Sequence, residues 1–357
     1  LTACAGTTNL LECVVSNGTT VVTQGQVTWA DVNSLGAFSN NVTTVALNSQ
    51  GKARTAWIAT TAGTGQITAQ GTQLKDASNT TNITVNVAKV DLDEVTFGND
   101  NFDVYRDTGT QAAFGTPHWK KGRSEQFPVC YKRNKHIGVS AKFKVMPNTF
   151  TGTLKIRGKS TFVSGGQTFN FTFAANDVSF SGGEGNYPLT QTQSGGPGEL
   201  PDTVEDLPVY QVQWEVSCDG GNTFVSIADH SDNRTYVVLD MPATPTLFHT
   251  VVDVSCRNAK GKNSANPAVL AIWGDFNVPI PGVLRADGTE MVYWGPISKA
   301  NPSSCFTAAE LIKFADGKCG AWSQFMNHTI LAQNISGSVE SIITTKPRAN
   351  GIFQGIG

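Results

Sequence analysis

The sequence predicts a mainly β protein, a series of β-sandwiches followed by a small C-terminal α+β segment. Three observations predict it. Short runs rich in Val, Thr, Ile and Phe recur about every ten residues between Gly and Asn breaks, the spacing of a sandwich strand plus its turn. Charged residues make up only 15% of the 357-residue chain, whereas Gly alone numbers 36. From about Asn301 the apolar spacing changes from strand-like to helical.

Composition narrows the function class. Lys and Arg number 26 against 28 Asp and Glu, for a net charge of −2. The resulting pI near 6.2 excludes the basic stripe of a nucleic-acid protein. No apolar run approaches the roughly 18 residues of a membrane span. Hydrophobic residues at 39% supply a core. Abundant Thr, Ser, Asn and Gly with scarce Lys and Glu is the profile of an extracellular or cell-surface β-protein. Asn-x-Ser/Thr sequons at Asn17, Asn41, Asn79, Asn82, Asn170, Asn233, Asn327 and Asn334 add mild support for export and are glycosylation candidates. No signal peptide is visible at Leu1, so the chain is expected to start after a cleavage or to be an excised fragment.

Residues 1–90 read as one sandwich, with strands predicted over 26–30, 42–47, 51–60, 65–70 and 82–90. The ten-residue spacing suits an immunoglobulin-like module. The segment GQVTWADVNSLGAFSNNVTTVALNSQGKARTAWIATTAGTGQITAQ resembles the bacterial immunoglobulin-like repeats of surface adhesins, through Trp29, Gly36, Gly51, Trp57 and Gly65. Trp29 and Trp57 are read as core. At the following junction Asp91, Asp93 and Glu94, with Asp100, Asp103 and Asp107 beyond, are weighed as a Ca²⁺ site against a solvated linker. The linker weighs more, because Ca²⁺ needs several converging oxygens.

Residues 91–275 read as a further β-sandwich region of one or two modules. Val139, Ala141, Phe143 and Val145 alternate onto one face, with Ser140, Lys142 and Lys144 on the other. The Gly-, Pro-, Thr- and Gln-rich stretch 181–207 reads as a long exposed loop. Ser217, Asp219, Gly221, Thr223 and Phe224 match the S-x-D-x-G-x-T-F hairpin of the Asp-box type seen in sialidase propellers. One copy is a structural hairpin, not a propeller. Strands are predicted over 236–239, 250–256 and 269–272, and SCRNAKGKNSANPAV resembles the late hairpin of an immunoglobulin-type sandwich.

Seven cysteines cannot all pair internally. The expected pairs are Cys4 with Cys13 across a short loop, Cys218 with Cys256 between strands, and Cys130 with Cys305, leaving Cys319 free. Six cysteines allow fifteen pairings, so the connectivity stays open. Buried thiols in a reducing compartment are the alternative to disulfides.

Residues 276–357 form the α+β segment. Thr307 and Glu310 make a capping box ahead of Leu311, Ile312 and Phe314. Asp316-Gly317 stops that helix. A second begins near Cys319, with Trp322, Phe325, Met326 and Ile330 facing a core. DGKCGAWSQFMNHTILAQNI resembles the nucleophile helix of the transglutaminase-like superfamily and, more distantly, that of papain-type cysteine proteases. Gly317, Cys319 and Trp322 carry the match. The resemblance implies an acyltransferase, peptidase or amidase with Cys319 as nucleophile, followed in chain order by a His and an Asp. Only His328 follows, nine residues along the same helix and about 13 Å away by rise. His118, His136, His230 and His249 precede the Cys.

The preferred reading is therefore a secreted or cell-surface modular protein, a structural, adhesive or filament-type assembly subunit. Its expected partners are other protein chains, engaged through β-edges such as 338–345. The alternative is a transglutaminase-like thiol enzyme whose His and Asp lie beyond Gly357. A carbohydrate-binding role on Trp119 and Trp294 is outweighed by a core or hairpin role for both. No phosphate loop, zinc-spaced cluster or nucleotide fingerprint occurs, and no cofactor is expected.

Overall fold

A computed structural model of the chain describes residues 1–72, 80–98, 101–108, 112–193, 198–276, 283–301 and 303–337. The protein is mainly β, with 49% of the described residues in strands and 16% in helices. It divides into two units: residues Leu1–Asp103 with Phe114–Val237, and Val104–Ala113 with Val238 onward.

Unit 1 contains two hydrophobic cores. In the first, strand Gln26–Asp31 pairs with Gly63–Thr72, which pairs with Thr80–Gly98. The facing sheet is built from Thr8–Val14, Lys52–Ala59 and Gly36–Phe38. Alternate residues point inward from both sheets, so Val27, Trp29, Ala53, Trp57, Ile67, Val85 and Val87 close one core. The Trp57 indole N–H donates to Asp31 Oδ2 at 3.1 Å, and the same oxygen accepts from Gly36 N at 2.7 Å. Gly36 has no room for a side chain: a Cβ would lie 2.2 Å from Ile58 O and 2.6 Å from the Trp57 ring. Trp29 and Trp57 are thus core, as their spacing implies.

The 19-residue strand Thr80–Gly98 leaves this core and enters the second. Ala88, Val90, Leu92, Val95 and Phe97 belong to the second core. It pairs there with Gly138–Met146, matching Val90 to Val145, Leu92 to Phe143, Val95 to Ala141 and Phe97 to Val139. The apolar face read from the sequence is therefore the buried one. Trp214 receives Phe143 and Tyr187 edge-on, with ring centroids 5.3 and 5.1 Å apart. The stretch expected as a long loop contains a strand of the sheet. Glu184–Gln191 pairs with Gly138–Met146, and Leu200 and Val204 are buried. Its Gly, Pro and Thr content masked the inward alternation of Gly185 and Tyr187. Residues 194–197 lie outside the described set.

The Asp-box hairpin forms between strands Glu205–Ser217 and Val225–Val238. Asp219 Oδ1 accepts from the Ser217 hydroxyl at 2.6 Å, Asn222 N at 3.0 Å and Thr223 N at 2.9 Å. The Ser217 hydroxyl, with the amides of Thr223 and Asn222, holds the Asp219 carboxyl down at about 2. The hairpin also carries the disulfide. Cys218 bonds Cys4, 214 residues away in sequence, with Cα atoms 5.5 Å apart. The three expected pairings are therefore corrected: Cys13, Cys130, Cys256, Cys305 and Cys319 form no disulfide. Strand Thr2–Cys4 runs parallel to Asn86–Ala88, which takes Cys4 to the joint between the cores. Cys13 lies on the opposite sheet of the first sandwich, and Cys256 lies in a helix. Closing so long a loop is worth about 5 kcal/mol in the chain-entropy picture.

Two more expectations change in unit 1. Asn233 is only 1% exposed, and its amide donates to His118 O and Phe127 O at 3.2 and 3.0 Å. It is a core residue and no glycan acceptor. Asn17, Asn41, Asn82 and Asn170 are exposed, as is Asn334 of unit 2, whose Asn327 is half-buried; Asn79 lies outside the described residues. Of the carboxylates weighed as a Ca²⁺ site, Asp91, Asp93 and Glu94 meet ammonium groups, Asp107 caps a helix of unit 2, and Asp100 lies outside the described residues. Asp93 pairs with Lys144 at 2.9 Å, Glu94 with Lys120 at 2.6 Å and Asp91 with Lys89 at 3.7 Å. Among the described residues no three His, Cys, Asp or Glu converge as a metal site.

Unit 2 holds five helices among its described residues: α1 (His249–Ala259), α2 (Ala265–Phe276), α3 (Pro296–Ala300), α4 (Ala308–Phe314) and α5 (Cys319–Leu331). The strands predicted over 250–256 and 269–272, and the sandwich hairpin between them, are in fact α1, α2 and their turn. Val251, Val252 and Val254 read as a strand because β-branched residues favour one. Eight of its eleven residues are buried, with the polar Thr250, Asp253 and Ser255 among them, so its polar residues do not mark a solvent face. The α1 N-terminus is held from a distance: Asp107 accepts from Thr250 N at 3.1 Å and Thr250 Oγ1 at 2.8 Å. Gln333 donates to Ser255 Oγ at 2.8 Å and accepts from Leu239 N at 3.0 Å, joining the end of α5 to α1.

His118 gives unit 1 a specific pH dependence. Its buried Nδ1 accepts from Phe97 N at 3.0 Å. Burial, with Arg123 nearby, lowers its pKa from 6.5 to about 4. Between these values the unfolded chain binds a proton that the folded chain refuses. The His118 contribution is therefore intact above pH 6.5, falls as pH drops toward 4 and changes no further below. The loss is on the order of 3 kcal/mol. His118→Asn keeps an acceptor without the titration. Urea unfolding at pH 7 and pH 4.5 is expected to show a smaller pH loss in that variant than in the native chain.

Candidate functional site

The described chemistry of unit 2 gathers around the start of α5. The short strands Val292–Tyr293 and Asp316–Gly317 pair in parallel. Their pairing continues as Trp294 N donates to Gly317 O at 2.9 Å. Asp316 is buried directly after α4 and points into the N-terminus of α3. Its carboxylate accepts from Gly295 N and Ile297 N at 2.8 Å each, from Ser298 N at 3.1 Å and from Ser298 Oγ at 2.7 Å. Burial pushes the Asp316 carboxyl up, but the Ser298 hydroxyl and the three amides outweigh it and hold it below the ordinary range. Gly295 is required by this approach, since a Cβ would lie 2.7 Å from Asp316 Oδ2.

This anchor presents an aromatic surface. Trp294 has φ of 52°, an unfavourable conformation for a bulky residue, and its indole is 46% exposed. Cys305, with φ of 65°, turns the chain so that Phe306 stands 48% exposed. Lys318, the N-cap residue of α5, is only 3% exposed. Its ammonium lies 4.1 Å from the Phe306 ring centroid and 5.8 Å from that of Trp294. It also donates to Asn301 O at 3.3 Å. Trp294, Ser298, Lys299, Phe306 and Lys318 together line an open hollow. Exposed Tyr293 extends it, 6.4 Å from the Trp294 ring.

Cys319 is the first residue of α5, exposed and free. The helix starts where the sequence places it, and the Thr307–Glu310 capping box ahead of α4 is present. The thiol has no hydrogen-bond partner among the described residues. His328 stays on the same helix with its Nδ1 buried and unpartnered, and burial lowers its pKa. The residues brought together at the start of α5 are therefore aromatic and cationic. Trp119, weighed beside Trp294 as a sugar platform, is buried in the second core of unit 1. Phe306 and Lys318 were not singled out from the sequence. Both stand beside the Cys319 motif, but only the turn at Cys305 brings Phe306 back over Lys318.

These features define a protein of β-sandwich modules joined to a small helical unit that exposes an aromatic and cationic face. No family model matches the chain, and no curated protein matches it. Among solved structures it is similar to a C-terminal 282-residue fragment of intimin in complex with the intimin-binding domain of the translocated intimin receptor. The identity is 17%, coverage is 77% of each chain and the TM-score is 0.29. The D0–D1 domain of intimin is 11% identical, covering 66% of this chain and 92% of that one, with a TM-score of 0.22. Domains 4–9 of the surface layer protein SbsC are 10% identical, covering 68% and 30%, with a TM-score of 0.19. With superpositions this partial, the class of the chain rests on its own strands and cores.

Asp316 is the residue on which the hollow depends. Asp316→Ala strands three amides and the Ser298 hydroxyl. It is expected to destabilise unit 2 by about 2–4 kcal/mol. Urea unfolding followed by tryptophan fluorescence checks this; an unchanged midpoint for unit 2 refutes the anchoring role.

Proposed function

We propose that the chain is part of a secreted or cell-surface protein that serves as a modular structural and adhesive subunit and binds other protein chains. The observation that carries this reading is the Cys4–Cys218 disulfide, a bond that persists in oxidising compartments. Two sandwich cores in a chain of low charge agree with it. The exposed Tyr293, Trp294 and Phe306 supply a surface of the composition that protein interfaces favour. Beads coated with the chain are expected to adhere to intact host or neighbouring cells, and adhesion is expected to fall when those cells are first stripped of surface protein by trypsin. Absence of adhesion, or adhesion indifferent to trypsin, overturns the adhesive reading.

A second reading, a transglutaminase-like thiol acyltransferase or peptidase, is favoured by one observation. Cys319 is free and exposed at the first position of a 13-residue helix, a place from which a cysteine side chain can act as nucleophile. An activated nucleophile alkylates with iodoacetamide at pH 7 at least about tenfold faster than free cysteine. A rate equal to that of free cysteine removes this reading.

A further inference from the structure

We propose that the side chains of Cys256 and Gln333 condense into an internal thioester, a covalent self-modification that ties α1 to the segment following α5. The inference goes beyond both functional readings and involves neither Cys319 nor the aromatic hollow.

Three segments of unit 2 bring the two side chains together. Cys256 lies on α1 and is fully buried, and Gln333 follows α5 with 1% exposure. The Gln333 amide nitrogen stands 3.6 Å from Cys256 Sγ, across a sequence separation of 77. The same nitrogen donates to Ser255 Oγ at 2.8 Å, and the Ser255 hydroxyl donates to Thr329 O at 2.6 Å. The Gln333 carbonyl oxygen accepts from Leu239 N at 3.0 Å. Both ends of the amide are thus held, and the thiol lies against it. Groups fixed in contact in this way react as parts of one molecule, without the entropy cost of an encounter.

The surroundings suit the chemistry. Cys256 Sγ bonds to the carbonyl carbon of the Gln333 side chain, the carbon–nitrogen bond breaks, the thiol proton passes to the nitrogen, and ammonia leaves. The step needs no oxidant, reductant or second reactant. Negative charge develops on Gln333 Oε1 during the attack, at the atom that already receives the Leu239 N–H. A backbone donor in that position is what stabilises a tetrahedral intermediate of acyl transfer. Ser255 Oγ touches the departing nitrogen and delivers a proton to it by turning away from Thr329 O. The second N–H of the amide meets sulfur, a weak acceptor, so loss of ammonia removes a poorly matched donor from the interior. Burial of both residues then keeps water from the thioester.

The test is the intact mass of the whole chain, purified without added thiols, denatured in mildly acidic urea and treated with N-ethylmaleimide before any reduction. The chain is expected to be lighter than its sequence by one molecule of ammonia, beyond the two hydrogens lost at the disulfide. It is expected to take up four maleimides, at Cys13, Cys130, Cys305 and Cys319, and a fifth at Cys256 only after hydroxylamine has opened the thioester. Peptic digestion is expected to yield one species that joins the peptides of Cys256 and Gln333. Cys256→Ala and Gln333→Leu are each expected to abolish the ammonia deficit; the mass is read on denatured chains, so a variant that fails to fold still reports. A native chain of full mass that takes up five maleimides overturns the proposal. A deficit that persists in Cys256→Ala overturns it as well, because the ammonia has then left from another site.

Discussion

Unit 1 depends on one strand serving two cores. Thr80–Gly98 gives Val85 and Val87 to the first sandwich and Ala88, Val90, Leu92, Val95 and Phe97 to the second. Side chains alternate along a strand, so its phase must be right in both places at once. An irregularity between Leu92 and Glu94 adjusts that phase within the second core. A slip of one residue would turn inward-facing positions outward in both sandwiches together. The pairing of Thr2–Cys4 alongside Asn86–Ala88 then sets Cys4 at the crossing point, where Cys218 meets it.

Unit 2 is organised differently, around the starts of its helices. Asp107 satisfies the amide of Thr250 in α1, Asp316 those that open α3, and Glu310 with Thr307 those at α4. Each cap draws on the unsatisfied N–H groups that every helix start carries. At α1 and α3 the carboxylate comes from a distant segment, so capping there fixes tertiary structure as well as the helix. At α5 no side chain caps the start. The aromatic and cationic hollow lies beside that uncapped end.

What the sequence revealed follows the range of the interaction that decides each feature. Trp29, Trp57 and the Val139–Val145 face were legible because strand alternation is local. The capping box at Thr307 and the start of α5 at Cys319 were legible for the same reason. The Asp-box hairpin was read correctly from eight consecutive residues. The disulfide partners were not legible, because Cys4 reaches Cys218 through the placement of two separate sheets. α1 was misread because its β-branched valines favour a strand and several of its polar residues are buried rather than exposed on one face. Asn233 matched a sequon whose acceptor nitrogen is spent on the carbonyls of His118 and Phe127, a fact that appears only once the loop over residues 118–127 is in place. The hollow escaped because Trp294, Phe306 and Lys318 arrive on three short segments, united by a carboxylate that the sequence presents as a helix stop.

The cross-link at Cys4 has a mechanical consequence. When a chain is pulled by its two ends, load follows the shortest covalent route between them. Here that route enters at Leu1, crosses the sulfur–sulfur bond at Cys4 and leaves from Cys218, so nearly all of the 214-residue span between them carries no load. Both sandwich cores and the strand they share lie almost wholly inside that bypassed loop. Tension along the chain reaches Thr2–Cys4, the last strand of unit 1 and the segments after it. The bond thus makes the sandwich portion close to inextensible for as long as it stays oxidised, and a reductant converts the same region into slack.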